Sequence, residues 1–390
     1  FRPTHHMSSE ATQTSVYVHF PWCMRKCPYC DFATEPIRKS ELPHDAYADA
    51  LRRELDARSA DLSDRALRSV FFGGGTPSLW KPEALRRVLA AIRGSFDDVE
   101  VDLEVTVECN PSSLTRENVA KLREAGVDRL SIGVQSLRDD HLRFLGRLHD
   151  SAGALAALAE ATAEMPRVSA DLMFGMPGQT SAELIEDITR IADAGARHVS
   201  AYALTIEEKT MFGSLHHAGK LRVAPEEQYA TLFEHAEARF AELGWTHYEV
   251  SNYAADGEES RHNLHYWHGG AYVGLGAAAV GCLDQGTGRA ERWRNDPSPQ
   301  GYLTQSKLEV ETETLGPEEI VREALMLGLR TIDGMNVAKT EQRAGRNPAE
   351  GREAEIARAI DQGNLVRDED CLRVPQSRWL KLDGIVRDLF

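Results

Sequence analysis

Between Val101 and Glu108 the apolar residues Val101, Leu103, Val105 and Val107 alternate with Asp102, Glu104, Thr106 and Glu108, the period of two that predicts a strand. Five further short runs rich in β-branched residues read the same way: VYVHF (16–20), LRSVFF (67–72), RLSIGVQ (129–135), VSADLMFG (168–175) and HVSAYALT (198–205). Between them the apolar spacing widens to that of helices, as at 46–57, after Pro82 (a favoured first-turn residue) and at 182–194. Strands that each lead into a helix predict a parallel βα array. A closed barrel of this kind takes eight units. Six predict an α/β fold with an open, incomplete (β/α)6 TIM-like barrel over residues 15–215.

The pattern changes after the barrel. Residues 216–300 read as a barrel extension, with a long helix at 225–243, an extra strand in THYEVSNYA (246–254) and a tightly packed Gly/Ala-rich core segment at 269–282. Residues 301–390 carry helices at 317–330 and 350–361, a hairpin at 364–375 and a last helix at 377–389, which predict a small winged-helix-like domain. Residues 1–14 are expected to be disordered, with Phe1 to His6 a possible tag remnant ahead of Met7. No stretch approaches the ~18–20 apolar residues of a membrane span, and the start lacks the apolar segment of a signal peptide. The expectation is a cytoplasmic protein without a transmembrane segment. With 45 Lys+Arg against 61 Asp+Glu the chain carries a net charge of −16, which repels phosphate backbones and argues against a nucleic-acid partner.

Candidate chemistry begins in FPWCMRKCPYCDF (20–32), where Cys23, Cys27 and Cys30 fall within eight residues. Pro21 and Pro28 argue against a cysteine-lined helix. A disulfide would leave one thiol over. Structural zinc takes four closed ligands; His19 is an available fourth, and no second CxxC pair follows. An iron–sulfur cubane has four corners, so three thiolates would leave one iron open, which is the logic of a catalytic metal site. Polar or backbone-exposing residues also stand near one end of each predicted strand: Gly73-Gly74-Gly75-Thr76, Glu108, Gln135, Asp171 and Tyr202-Ala203. In parallel αβ barrels chemistry gathers at the C-terminal strand ends.

The CxxxCxxC motif, with Tyr29 before its last cysteine, resembles that of the radical S-adenosylmethionine (SAM) proteins. In those proteins the open iron of a 4Fe–4S cluster binds SAM, whose reductive cleavage gives a 5′-deoxyadenosyl radical. VYVHFPWC, FFGGGTPS, ECNPSS, SIGVQS, LGRLHD, DLMFGMPGQT and HNLHYW narrow the resemblance to the oxygen-independent coproporphyrinogen III oxidase group, across nearly the whole chain from Ser15. Within that group the chain is most similar to the HemW-type haem chaperones. Decarboxylases of the group carry a further cysteine two places after the third, where this chain has Phe32. The resemblance implies SAM contacts at Tyr17, Gly74, Gly75, Thr76 and Glu108, and a second set at Tyr29, Gln135, Arg147 and Asp171. HNLHYW (262–267) matches a motif associated with haem, making His262 the favoured haem ligand with His265 and His268 as rivals. The implied partners are haem and a respiratory protein that accepts it, with a homodimer possible. The alternatives are an anaerobic decarboxylase or methyltransferase of tetrapyrroles, and a zinc-bound regulatory protein.

Overall fold

A computed structural model describes residues 12–304, 309–368 and 370–390. Its centre is a twelve-stranded sheet. The six expected strands are β1 (Thr12–Phe20), β2 (Arg65–Gly74), β3 (Asp98–Cys109), β4 (Arg129–Gln135), β5 (Arg167–Phe174) and β6 (His198–Ala203). They pair in chain order, all parallel. The expectation for residues 1–14 falls mostly outside the described residues, and its last three, Thr12 to Thr14, already belong to β1.

Two features extend the array beyond six units. THYEVSNYA forms two short strands, β7 (Thr246–Glu249) and β8 (Asn252–Ala254), of which β8 lies antiparallel beside β6. The segment expected as packed core contains β9 (Ala271–Leu275), a seventh parallel strand on the free side of β1. An antiparallel meander continues from it through β10 (Val280–Asp284), β11 (Ala290–Asn295) and β12 (Glu309–Leu315). The glycines that hid β9 are what permit it. A Cβ on Gly274 would collide with the Val280 backbone, and Gly276 turns the chain with a φ of +101°.

The strand alternation sorts side chains between two environments. Val16, Val18, Val70, Phe72, Val105, Val107, Leu130 and Ile132 are fully buried against the surrounding helices, among them His44–Ala57, Pro82–Gly94 and Ser151–Glu164. Each such side chain stabilises the fold by about 1.5–3 kcal/mol. Their neighbours in sequence face the other way, into the concave side of the curved sheet. Of the polar residues of the β3 alternation, Glu104 and Thr106 are buried and Glu108 lines a lumen, while Asp102 at the start of the strand stays exposed.

The C-terminal region runs helix Pro317–Gly328, strand Met335–Asn336, helices Val337–Ala344 and Glu353–Asp361, then a hairpin of Val366–Asp368 with Cys371–Arg373. That order, with the first strand completing a three-stranded sheet, is a winged-helix topology. The helix Val337–Ala344 is one the sequence pattern did not suggest, and the expected last helix is a 3₁₀ turn (Gln376–Lys381) leading into Leu382–Arg387. The region attaches to the sheet edge: Val250 N–H donates to Arg330 O at 2.9 Å and Ile332 N–H to Tyr248 O at 3.0 Å. Among the described residues no helix is long and apolar enough to cross a membrane.

Candidate functional site

The cysteine loop leaves β1 at the C-terminal ends of the parallel strands, and backbone hydrogen bonds pin it. Trp22–Cys23 pairs with Glu35–Pro36, Ile37 N–H donates to Cys23 O at 2.8 Å, and Phe212 N–H donates to Pro28 O at 2.9 Å. The glycine turn after β2 presses against this loop. Gly75 N–H donates to Phe20 O at 2.7 Å and Thr76 N–H to Trp22 O at 2.9 Å, and a Cβ at Gly75 would lie 2.7 Å from Phe20 O. Gly74, at a φ of +102°, donates its N–H to Glu108 Oε2 at 2.9 Å. Glycine is required at both positions, by close approach at one and by a left-handed backbone at the other.

Cys23, Cys27 and Cys30 all face a lumen of about 870 Å³, within the range of ordinary ligand sites. Burial pushes the Cys23 and Cys30 thiols up, more than Thr76 beside the first and the Phe32 backbone N–H beside the second offset. Among the described residues no three His, Cys, Asp or Glu side chains converge on a single ion. A lone zinc would draw its sulfurs to about 2.3 Å from one centre, whereas a cubane spreads its ligands over separate iron corners. His19 is not free to act as a fourth ligand. Its Nδ1 bonds with Tyr17 OH at 3.0 Å and its Nε2 with Ala33 O at 2.9 Å. Three thiols with no fourth donor suit a cluster with one open iron.

The remaining mouth residues surround the same space. Tyr17, Tyr29, Gly74, Gly75, Thr76, Glu108, Gln135, Arg147 and Asp171 all line the lumen. Arg147, which could have been a surface charge, reaches inward: it donates to Gly133 O at 2.9 Å and stands 3.5 Å from both Cys27 Sγ and Tyr29 OH. Gln135 holds a left-handed φ of 65°, rare for a side chain of its kind, at the rim of β4. Asp171 accepts from Ser131 Oγ at 2.9 Å, and burial pushes its carboxyl up.

HNLHYW forms the short helix Arg261–Trp267 beside the lumen. His262 lines the lumen; its Nδ1 bonds with Ser69 Oγ at 2.8 Å and its ring stacks on Phe71 at 5.0 Å. Its Nε2 is buried without a partner. Burial pushes the ring's pKa down to about 3, so the imidazole is neutral at pH 7. His265, the rival candidate, does not line the lumen: its Nε2 bonds with Ala271 O at 2.8 Å and closes the turn into β9. His268 is also off the lumen.

Residues 17–191 match the radical SAM superfamily and residues 315–380 the HemN C-terminal domain. The chain is 33% identical over 377 residues to "Heme chaperone HemW" of Haemophilus influenzae, covering 95% of this chain and 96% of that protein. Against the protein of the same name from Mycobacterium tuberculosis it is 36% identical over 380 residues, covering 96% and 94%. The chain belongs to the HemW family of radical SAM proteins. A solved structure of coproporphyrinogen III oxidase (HemN) from Escherichia coli shares its fold, with a TM-score of 0.80, 20% identity and coverage of 97% of this chain and 90% of that one.

In this HemW-family chain two residues that sequence reasoning missed position the motif histidine. Glu104, fully buried on β3, accepts from the N–H of His262 at 2.9 Å and of Arg261 at 3.1 Å, and pairs with Arg167 at 2.5 Å. Ser69 holds the other ring nitrogen and is itself bonded to Ser15 at 2.8 Å. Only the inward side of the strand alternation hinted at either residue.

Glu108 sets the electrostatics of the mouth. Burial, reinforced by Asp171, pushes its carboxyl up to about 8. A raised acid favours the folded state fully below the unfolded value near 4.5, and that advantage is lost as pH climbs through the folded value. Glu108→Gln is therefore expected to melt like the unaltered protein at pH 5 and to be more stable by on the order of 1–2 kcal/mol at pH 9, the full shift being discounted because the lumen admits water. Thermal melts of the metal-free protein from pH 5 to 9 check this; parallel curves for the two proteins would contradict it.

Proposed function

We propose that this chain is a haem chaperone built on a radical SAM scaffold, holding a 4Fe–4S cluster on Cys23, Cys27 and Cys30 and SAM against the glycine turn and Glu108. It takes haem through His262 and passes it to a respiratory haem protein of the cytoplasmic side. When bound, the cluster supplies an open iron for the SAM amino-acid group and a low-potential electron. The single observation that carries the haem reading is the buried, partnerless Nε2 of His262. A neutral imidazole on a residue that lines a ligand-sized space, with one nitrogen fixed by a hydrogen bond and the other unpartnered among the described residues, has the makings of a metal-ligating histidine. The names of the curated relatives support the same reading.

The protein is expected to take up about one haem per chain, and His262→Ala to weaken that uptake at least about tenfold. Titration followed by absorbance checks this, and an unaltered protein that takes up no haem would overturn the reading. A second reading, anaerobic radical chemistry on a tetrapyrrole, is favoured by the full set of mouth residues around the thiols. Incubation of the reconstituted protein under argon with reductant, SAM and coproporphyrinogen separates the two. A chaperone gives no vinyl product, and a decarboxylase does.

A further inference from the structure

β4 turns Arg129, Ser131, Gly133 and Gln135 toward the lumen. Arg129 is the deepest of the four and only 2% exposed. Among the described residues its guanidinium makes no direct hydrogen bond or close ion pair, and Glu104 and Asp171 feel its charge without touching it. The nearby carboxylates are engaged elsewhere: Glu104 with Arg167 and two backbone N–H groups, Asp171 with Ser131. The two carboxylates balance part of its charge but leave its donors unengaged, and a guanidinium presents five of them in a fork that matches a carboxylate.

Register ties Arg129 to the motif histidine. Phe71 on β2 pairs with Thr106 on β3, and Thr106 pairs with Arg129 on β4, so the three lie in one row across the lumen face. Phe71 is the ring on which His262 stacks. Among the described residues Thr106 Oγ1, next to Arg129 in that row, and His262 Nε2 are buried polar atoms without a partner. His262 and Arg129 both line the lumen, with Thr106 buried in the row between Phe71 and Arg129.

We propose that Arg129 is a carboxylate-binding site at the level of His262, so that the lumen selects a ligand carrying both a metal centre and a carboxylate. This rests on the haem reading above, under which the carboxylate is a haem propionate. A bidentate, charge-assisted contact distinguishes a free acid from its ester by about tenfold or more.

The test compares haem with haem dimethyl ester, in which both propionates are capped, by absorbance titration of the full-length protein. The unaltered protein is expected to bind haem about tenfold or more tightly than the diester. Arg129→Gln should narrow that gap to within about threefold by losing haem affinity, and Arg129→Lys should restore part of it. Equal binding of the two compounds by the unaltered protein overturns the carboxylate site while leaving the haem reading intact; so does a gap that survives in Arg129→Gln. Binding of neither compound overturns the haem reading and the site with it. The comparison on the unaltered protein requires no substitution, so a misfolded variant cannot decide the outcome.

Discussion

Cys27→Ala is expected to abolish iron–sulfur loading. After anaerobic reconstitution the unaltered protein should hold about four iron and four sulfide per chain, and the variant less than about a tenth of that. The site has three thiols and no replacement donor: both ring nitrogens of His19 are committed, and among the described residues no other His, Cys, Asp or Glu completes a ligand set. Removing one thiol leaves two corners of the cubane held. It also strips Arg147 of its sulfur neighbour at 3.5 Å. Cys371→Ala, in the hairpin of the C-terminal domain, serves as the control and should load fully. Iron and sulfide assays with the visible spectrum decide the matter, and full loading of Cys27→Ala would refute the ligand set.

The second large effect is on the fold. Glu104→Ala should lower stability by about 2–4 kcal/mol, because it leaves the buried N–H groups of Arg261 and His262 without their acceptor and takes one of two carboxylates from Arg167, which keeps Glu258 at 3.2 Å. Burial alone would raise the Glu104 carboxyl, but Arg129, Arg167 and the His262 N–H hold it below the ordinary carboxylate range. Its contribution is therefore complete above the unfolded value near 4.5 and disappears as pH falls through the lower folded value. Glu104→Gln keeps an acceptor for the helix and loses the charge, so it should cost less at pH 7 and flatten the acid limb of the stability curve. Denaturant midpoints from pH 3 to 7 measure both, and a midpoint for Glu104→Ala equal to the unaltered protein's would defeat the argument. Since Glu104 caps the helix that carries His262, the alanine variant should also bind haem more weakly at temperatures where it remains folded.

Much of this architecture was legible in one dimension. Six strands were readable because a strand's two faces meet different surroundings, and the period of two records that difference locally. The cysteine spacing was readable because a loop of eight residues carries all three thiols. The seventh parallel strand was not: AYVGL has a glycine where a strand signal wants a β-branched residue, and only the neighbouring Val280 backbone explains why. The resemblance favoured His262 over His265 and His268, but spacing alone does not separate three histidines in HNLHYWH, and only the fold shows that His262 lines the lumen and the other two do not.

The sequence by itself determined the open βα array, the three-thiol loop and the shared face of Glu104, Thr106 and Glu108, because each depends on spacing within one segment. Only the tertiary structure decided what that face meets: Glu104 meets a helix 158 residues further on, Ser69 meets His262 193 residues away, and Arg129 lines the lumen without a direct hydrogen bond among the described residues. The physical reason is that a period encodes which side of a strand a residue occupies, whereas hydrogen bonding and desolvation depend on which distant segments the sheet brings to the same level of the lumen.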